Sequence, residues 1–267
     1  MDNQDFTEIS KRYREISIIQ SSAADILLAL LDIKSGESIL DIGCGAGNLT
    51  KKIYDISHGY VTGVDSSEGM IDESVKNYGG EINFQLSSAE DISFKDCFDV
   101  IFCNSVFQWI SNVDKAIGNF YHALKPGGRI GIQAPGGKEY CPNFIRAVDA
   151  VTKRERTGTV FKNFKSPWLF LNSAKNYAEL FLKHKFNVAF SEIQKIESLH
   201  TPEEVYNIFA SGAIAGYLNK EYYNCTIDEN YINEFQDTVK EDFSRQAGTN
   251  GKVKLVFNRI FLVAVKS

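Results

Sequence analysis

Four positions constrain this chain more than any others: Asp41, Gly43, Gly45 and Gly47, spaced two apart in Ile39-Leu40-Asp41-Ile42-Gly43-Cys44-Gly45-Ala46-Gly47-Asn48. Ser38 to Ile42 reads as a short strand and the stretch from about Asn48 to Ile56 as a helix, so the glycines form the turn between them. Such a turn gathers backbone N–H groups at a helix N-terminus, where only glycine lets a ligand approach the main chain closely. A nucleotide-like ligand is expected. A dinucleotide fingerprint needs glycine at position 48, which is asparagine, and no Lys-Ser/Thr pair follows to make a phosphate-binding P-loop.

The unit repeats along the first half of the chain. Strands are expected at Tyr60 to Val64, Ile82 to Leu86, Phe98 to Cys103 and Arg129 to Ile132, with helices at Gly69 to Asn77 and Val113 to Leu124. Lys125-Pro126-Gly127-Gly128 reads as a turn ahead of the fifth strand. This βα rhythm argues for a mostly parallel sheet. After Gln133 it breaks. Residues 138–170 carry seven basic side chains against three acids in a chain whose net charge is −5. A helix at Ala174 to Lys183, a strand at Phe186 to Ile196, a capped helix opening at Thr201-Pro202-Glu203-Glu204, a helix at Glu229 to Phe243 and a strand at Val253 to Val265 follow.

Charge and cysteines narrow the setting. The 29 basic residues are outnumbered by 34 acids, the reverse of what a phosphate-gripping protein carries, so nucleic acid is not an expected partner. Five widely spaced cysteines without a C-x-x-C point to free thiols in a reducing, cytoplasmic setting and to no metal site. The acidic first residues lack an apolar signal segment and no apolar run approaches membrane-spanning length, so no membrane is expected.

The pattern D-x-G-x-G-x-G resembles motif I of the class I S-adenosylmethionine-dependent methyltransferases, and the resemblance continues at intervals to about Gln133. It implies an α/β, Rossmann-like three-layer sandwich with a mostly parallel seven-stranded sheet, its last strand antiparallel, and a largely helical substrate-covering insertion. The implied cofactor is S-adenosyl-L-methionine, with S-adenosyl-L-homocysteine as product. Its site would combine Asp41, Gly43, Gly45 and Gly47 with Asp65, whose carboxylate offers acceptors to the ribose hydroxyls, flanked by Ser66 and Met70. Ser88, Ala89 and Glu90 stand where the family contacts the adenine. Relatives often have Asp at the position of Ser88, so the side-chain contact to the adenine amino group is not expected here, which leaves the Ala89 N–H to serve the adenine ring. Asn104 closes the fourth strand on the same edge.

Phe98 to Trp109, with Gln108-Trp109 as its specific part, and Gln133-Ala134-Pro135-Gly136 are similar to the trans-aconitate and malonyl-carrier-protein carboxyl O-methyltransferases. Tyr13 and Gln20, in a leading helical segment over 1–34, match that group's covering of the methionine end of the cofactor. Residues 35–267 would form the methyltransferase domain, with 134–170 and 197–250 as substrate-covering insertions. No Pro-Pro-Tyr/Phe follows Asn104, the element with which amino-methylating DNA enzymes hold a flipped base.

The expected activity is methyl transfer to a small-molecule acceptor, O-methylation of a carboxylate being favoured. An ionised carboxylate needs alignment and a cationic clamp rather than a general base. Gln108, Trp109 and Arg146 are the candidates for acceptor handling, against bland readings as a turn residue, a core residue and a solvated charge. C- or N-methylation of an apolar acceptor, motivated by Phe161, Phe164, Trp168, Phe170 and Tyr177, and a non-catalytic cofactor-binding sensor are the alternatives. The four histidines, His58, His122, His184 and His200, show neither metal nor nucleophile spacing.

Overall fold

The computed structural model describes residues 23–267. The expected strands form: β1 (Ile39–Ile42), β2 (Val61–Asp65), β3 (Asn83–Leu86), β4 (Phe98–Asn104), β5 (Leu124–Pro135), β6 (Phe186–His200) and β7 (Val253–Lys266). They make one sheet in the order β3-β2-β1-β4-β5-β7-β6, mostly parallel with the last strand antiparallel. Ile39 lies opposite Val61 on one side and Val100 on the other, so β1 is central and the carboxyl ends of β1, β2 and β4 reach one edge together. The chain steps outward from β1 to β3 and then returns to place β4 on the other side of β1. That reversal is a topological switch point, where Rossmann-like sheets hold ligands.

The described helices are α1 (Ala23–Leu31), α2 (Asn48–Ser57), α3 (Glu68–Tyr78), α4 (Val113–Ala123), α5 (Pro142–Lys153), α6 (Glu155–Phe161), α7 (Ala174–Lys183), α8 (Pro202–Tyr217) and α9 (Glu229–Gln246). The period-2 alternation of β4 divides the core between two faces. Ile101 and Cys103 join Ile117, Phe120 and Phe181 of α4 and α7, while Val100 and Phe102 join Leu27, Leu31 and Ile53 of α1 and α2. The Arg129 guanidinium closes the end of α1. It donates to the Leu31 and Asp32 carbonyls at 2.6 and 3.1 Å and grips the Glu37 carboxylate through two bonds of 2.7 and 2.8 Å.

Lys125-Pro126-Gly127-Gly128 departs from its expected place. Rather than preceding β5, it bulges out of it: Leu124 pairs with Phe98 and Arg129 with Val100, so four residues face Asp99 alone. Gly127 takes the positive φ of 77° that this excursion requires. Asp99 pins it, its Oδ2 accepting from Lys125 Nζ and from the Ser38 backbone N–H, each at 2.8 Å.

The chain divides into two compact units, one of residues 1–136, 169–193 and 260–267 and the other of residues 137–168 and 194–259. The second contains α5, α6, α8 and α9. Its core is aromatic, with Phe144 against Phe209 and Phe243 at ring separations of 5.0 and 5.8 Å. The α5 and α6 helices occupy the stretch that the sequence leaves without elements. Phe144, Ala147, Val148 and Val151 do recur at helical spacing, but the interleaved charges obscure the face. Those charges have local partners: Arg146 with Asp242, Arg154 with Glu241, and Arg156 with Asp228 and Glu234. The basic surplus of residues 138–170 is therefore largely met by acids within the same unit.

Candidate functional site

The switch point opens into a cavity of about 210 Å³ lined by Asp41, Gly43, Cys44, Ala46, Asn48, Leu49, Phe102 and Asn104. The strand ends and the glycine turn thus bring Asp41, Gly43 and Asn104 together, as the sequence anticipates. The glycines differ in what they do. At Gly43, with φ 70°, an added Cβ would lie 2.2 Å from Val106 Cγ2, so glycine is needed for packing. At Gly45, with φ 53°, an added Cβ would meet none of the described residues within 4 Å. Among the described residues, the space beside Gly45 is open. Gly47, at φ 86°, stands at the N-cap of α2 without a side-chain cap.

Asp65 reaches across from β2 to this turn. Its Oδ2 accepts from the Gly45 N–H at 3.0 Å and its Oδ1 from the Ser67 N–H at 2.9 Å. Each carboxylate oxygen has a further lone pair, so both can still receive a hydroxyl. Asp41 is buried, 2 % exposed, and its Oδ2 accepts from Thr50 Oγ1 at 2.7 Å. Burial pushes its carboxyl up to about 7, the Thr50 hydroxyl opposing and the neighbouring Asp65 charge adding. Burial, with the Asp41 and Asp65 charges, likewise holds the Cys44 thiol far above the ordinary range, so that cavity wall is an un-ionised sulfhydryl.

The neighbouring residues have partners of their own. Ser88 Oγ donates to Asp91 Oδ2 at 2.6 Å. Glu90 Oε1 accepts from Ser111 N, Ser111 Oγ and Asn112 N at 3.0, 3.0 and 3.2 Å, tying the chain just ahead of α4. Burial raises the Glu90 carboxyl, but these donors outweigh it and hold the group below the usual range. Ser66 and Met70 are exposed at the start of α3, and Ala89 is buried. Tyr13 and Gln20 lie outside the described residues.

Beyond β4 the backbone turns sharply. Ser105 adopts φ 59°, in the left-handed region, and its N–H and Oγ donate to the backbone and side-chain oxygens of Gln133 at 2.7 and 3.0 Å. A short 3₁₀ turn, Phe107–Trp109, follows. Gln108 is buried there, with Nε2 donating to the Ser105 carbonyl at 2.8 Å, and Trp109 is half-buried. Arg146 stands on α5 in the second unit, 58 % exposed, its Nε 3.5 Å from Asp242 Oδ2. The aromatics behind the apolar-acceptor alternative are divided: Phe161, Phe164 and Trp168 pack on Tyr217 inside the second unit, whereas Tyr177 is 1 % exposed in the core of the first.

Thr50, Ser67 and Ser105 support the site without any sequence signal. Each acts through a hydroxyl or backbone group: Ser67 and Thr50 donate to Asp65 and Asp41, two and nine residues away, whereas Ser105 meets Gln133 only because β4 and β5 pair. Among the described residues no cluster of His, Cys, Asp and Glu could hold a metal ion, and no helix is long and apolar enough to cross a membrane.

Residues 40–132 match the methyltransferase domain family model. A malonyl-acyl-carrier-protein O-methyltransferase 1 of Ilyobacter polytropus is 29 % identical over 52 % of this chain and 53 % of its own length, so the chain spans about half of such relatives. A trans-aconitate 2-methyltransferase of Variovorax paradoxus is 25 % identical over 95 % of this chain and 96 % of its own length. In fold, the chain is similar to the solved phosphoethanolamine N-methyltransferase 2 of Haemonchus contortus, with a TM-score of 0.54, 21 % identity, and coverage of 91 % and 52 % of the two chains. The matched residues 40–132 carry the glycine turn at the switch point of the sheet, and in sequence they are similar to a methyltransferase domain.

Proposed function

We propose that this protein transfers the methyl group of S-adenosylmethionine to a carboxylate oxygen of a small-molecule acid. One observation carries the cofactor half of this reading: Asp65, fixed by two backbone N–H groups, stands beside the open space at Gly45 with acceptor capacity to spare. A ribose diol suits that carboxylate, and Gly45 lets the rest of the cofactor lie against the main chain, with Asp41, Gly43 and Asn104 on the cavity wall. Ser66, Met70, Ser88, Ala89 and Glu90 are assigned to the adenosine end, and Tyr13 and Gln20 to the methionine end. The bound cofactor supplies a methyl group already activated by its sulfonium. The chain's own task is alignment and exclusion of water.

Carboxylate acceptance is supported by the trans-aconitate and malonyl-carrier relatives. An ionised acid has no proton to remove, so no step needs a base. The second unit is assigned to acceptor selection. Isothermal titration with S-adenosylmethionine tests the cofactor half. Asp65→Ala should weaken binding by about 1–3 kcal/mol, roughly 5- to 150-fold, the cost of an unpartnered hydroxyl pair. Labelled-methyl transfer to mono-, di- and tricarboxylic acids tests the other half, with an alkali-labile ester as the expected product. Alkali-stable products would replace carboxylate transfer by N- or C-methylation, and binding without turnover of any acceptor would leave a sensor.

A further inference from the structure

Asp41 lies opposite Gly63 of β2 and Phe102 of β4, and only one of its carboxyl oxygens is used. Oδ2 accepts from the Thr50 hydroxyl, whereas Oδ1 has no hydrogen-bond partner among the described residues. That oxygen is not sealed in the core, since Gln108 Oε1 is the one described side-chain atom both sealed and unpartnered. Asp41 lines the cavity while only 2 % exposed, so Oδ1 opens onto that cavity. Among the described residues, nothing beside it supplies positive charge. The groups facing Asp41 are the Asp65 carboxylate from β2, the Thr50 hydroxyl from α2, and the thiols of Cys44 in the glycine turn and Cys103 on β4, both held un-ionised by burial. No lysine, arginine or histidine is among the residues lining the cavity. A carboxylate formed there would meet a second negative charge and apolar walls, so Asp41 keeps its proton until a cation enters.

We infer that cofactor binding is coupled to proton release: Asp41 is neutral in the free protein and ionises as S-adenosylmethionine or S-adenosyl-L-homocysteine enters, its carboxylate answering the positive charge of the cofactor. This deepens the cofactor half of the reading above and rests on it. The Asp41 O–H bond breaks, its electron pair stays on the carboxylate and the proton passes to solvent. Both cofactor forms carry an ammonium group at neutral pH, and the donor form adds a sulfonium. An opposite charge at ion-pair distance moves the titration of a carboxyl down by about 1–3 pH units, here from about 7 in the free protein. The free site then holds a proton that the occupied site does not, so affinity rises with pH across the range in which Asp41 titrates. The glycine turn thereby becomes a pH-sensitive gate, empty in acid and loaded near neutrality.

Isothermal titration at pH 6 in phosphate and in Bis-Tris, buffers that differ in enthalpy of protonation, counts the protons released per ligand; at that pH the ligand's own ammonium keeps its proton. S-adenosyl-L-homocysteine should release about 0.4 to 0.9 proton and bind about 7- to 70-fold more tightly at pH 7.5 than at pH 5. 5′-Methylthioadenosine, which has the nucleoside without the charged amino-acid end, should release none. Asp41→Asn should bind S-adenosyl-L-homocysteine without proton release and with equal affinity at pH 5 and pH 7.5. Binding of S-adenosyl-L-homocysteine to wild type with no proton released, or equal release by 5′-methylthioadenosine, overturns the inference and leaves the cofactor reading standing, and neither result needs a variant. Undiminished release in Asp41→Asn also overturns it. Failure of both S-adenosylmethionine and S-adenosyl-L-homocysteine to bind at pH 7.5 removes the cofactor reading and this inference with it.

Discussion

Replacing Asp41 by Asn should stabilise the protein, and increasingly so as pH rises. Asp41 loses its proton at about 7 in the folded chain against 3.8 for an ordinary aspartate, chiefly through burial. As pH rises from about 4, the unfolded chain gains by ionising while the folded one holds its proton, so folding stability drains away until the folded group also titrates near pH 7. The gap corresponds to about 4 kcal/mol in full, of which about 1.5 is lost by pH 5 and the remainder by pH 8. Asn is neutral throughout and can accept the Thr50 hydroxyl bond in the same place. The stability difference between Asp41→Asn and wild type should therefore grow by about 2–3 kcal/mol from pH 5 to pH 8. Urea unfolding of both proteins without cofactor, at matched ionic strength, measures it. A difference that stays flat between those pH values would refute the claim that Asp41 is held neutral by burial.

Gly45→Ala should cost the fold only about 1–2 kcal/mol for its left-handed backbone yet weaken S-adenosylmethionine binding at least tenfold, whereas Gly43→Ala should sharply lower the yield of folded protein; calorimetry and thermal melts separate the two. Glu90→Ala should lower stability by about 1–2 kcal/mol through loss of its three donors ahead of α4; a fall in cofactor affinity beyond that seen with Ser111→Ala would mark a direct contact with the adenosine. Arg146→Ala removes the ion partner of the buried Asp242, so its melting temperature should fall; an unchanged KM for every accepted acid would exclude Arg146 as the acid's clamp.

The cofactor half of the site is legible in the sequence because it is local. Asp41, Gly43, Gly45 and Gly47 belong to one strand–turn–helix unit, and Asp65 and Asn104 end the strands that flank it, so periodicity and spacing identify them. The acceptor half is not legible in the same way. Gln108 is conspicuous as a residue, but it is held by the Ser105 carbonyl and the Leu169 N–H, the second of them 61 positions away. The basic run at residues 138–170 misleads for a related reason: its partners Asp228, Glu234, Glu241 and Asp242 lie some 70 to 100 residues further along.

The sequence by itself determined the βα order, the parallel sheet and the residues of the glycine turn, since each follows from short-range periodicity and from the conformational freedom of glycine. Only the tertiary structure decided which glycine faces packed side chains and which faces open space, that Asp41 is buried with a single donor, that Glu90 ties down the chain ahead of α4, and that one glutamine oxygen lacks a partner. These are matters of burial and hydrogen-bond accounting, and a group's partners and solvent exposure are fixed by neighbours that the chain supplies from far away.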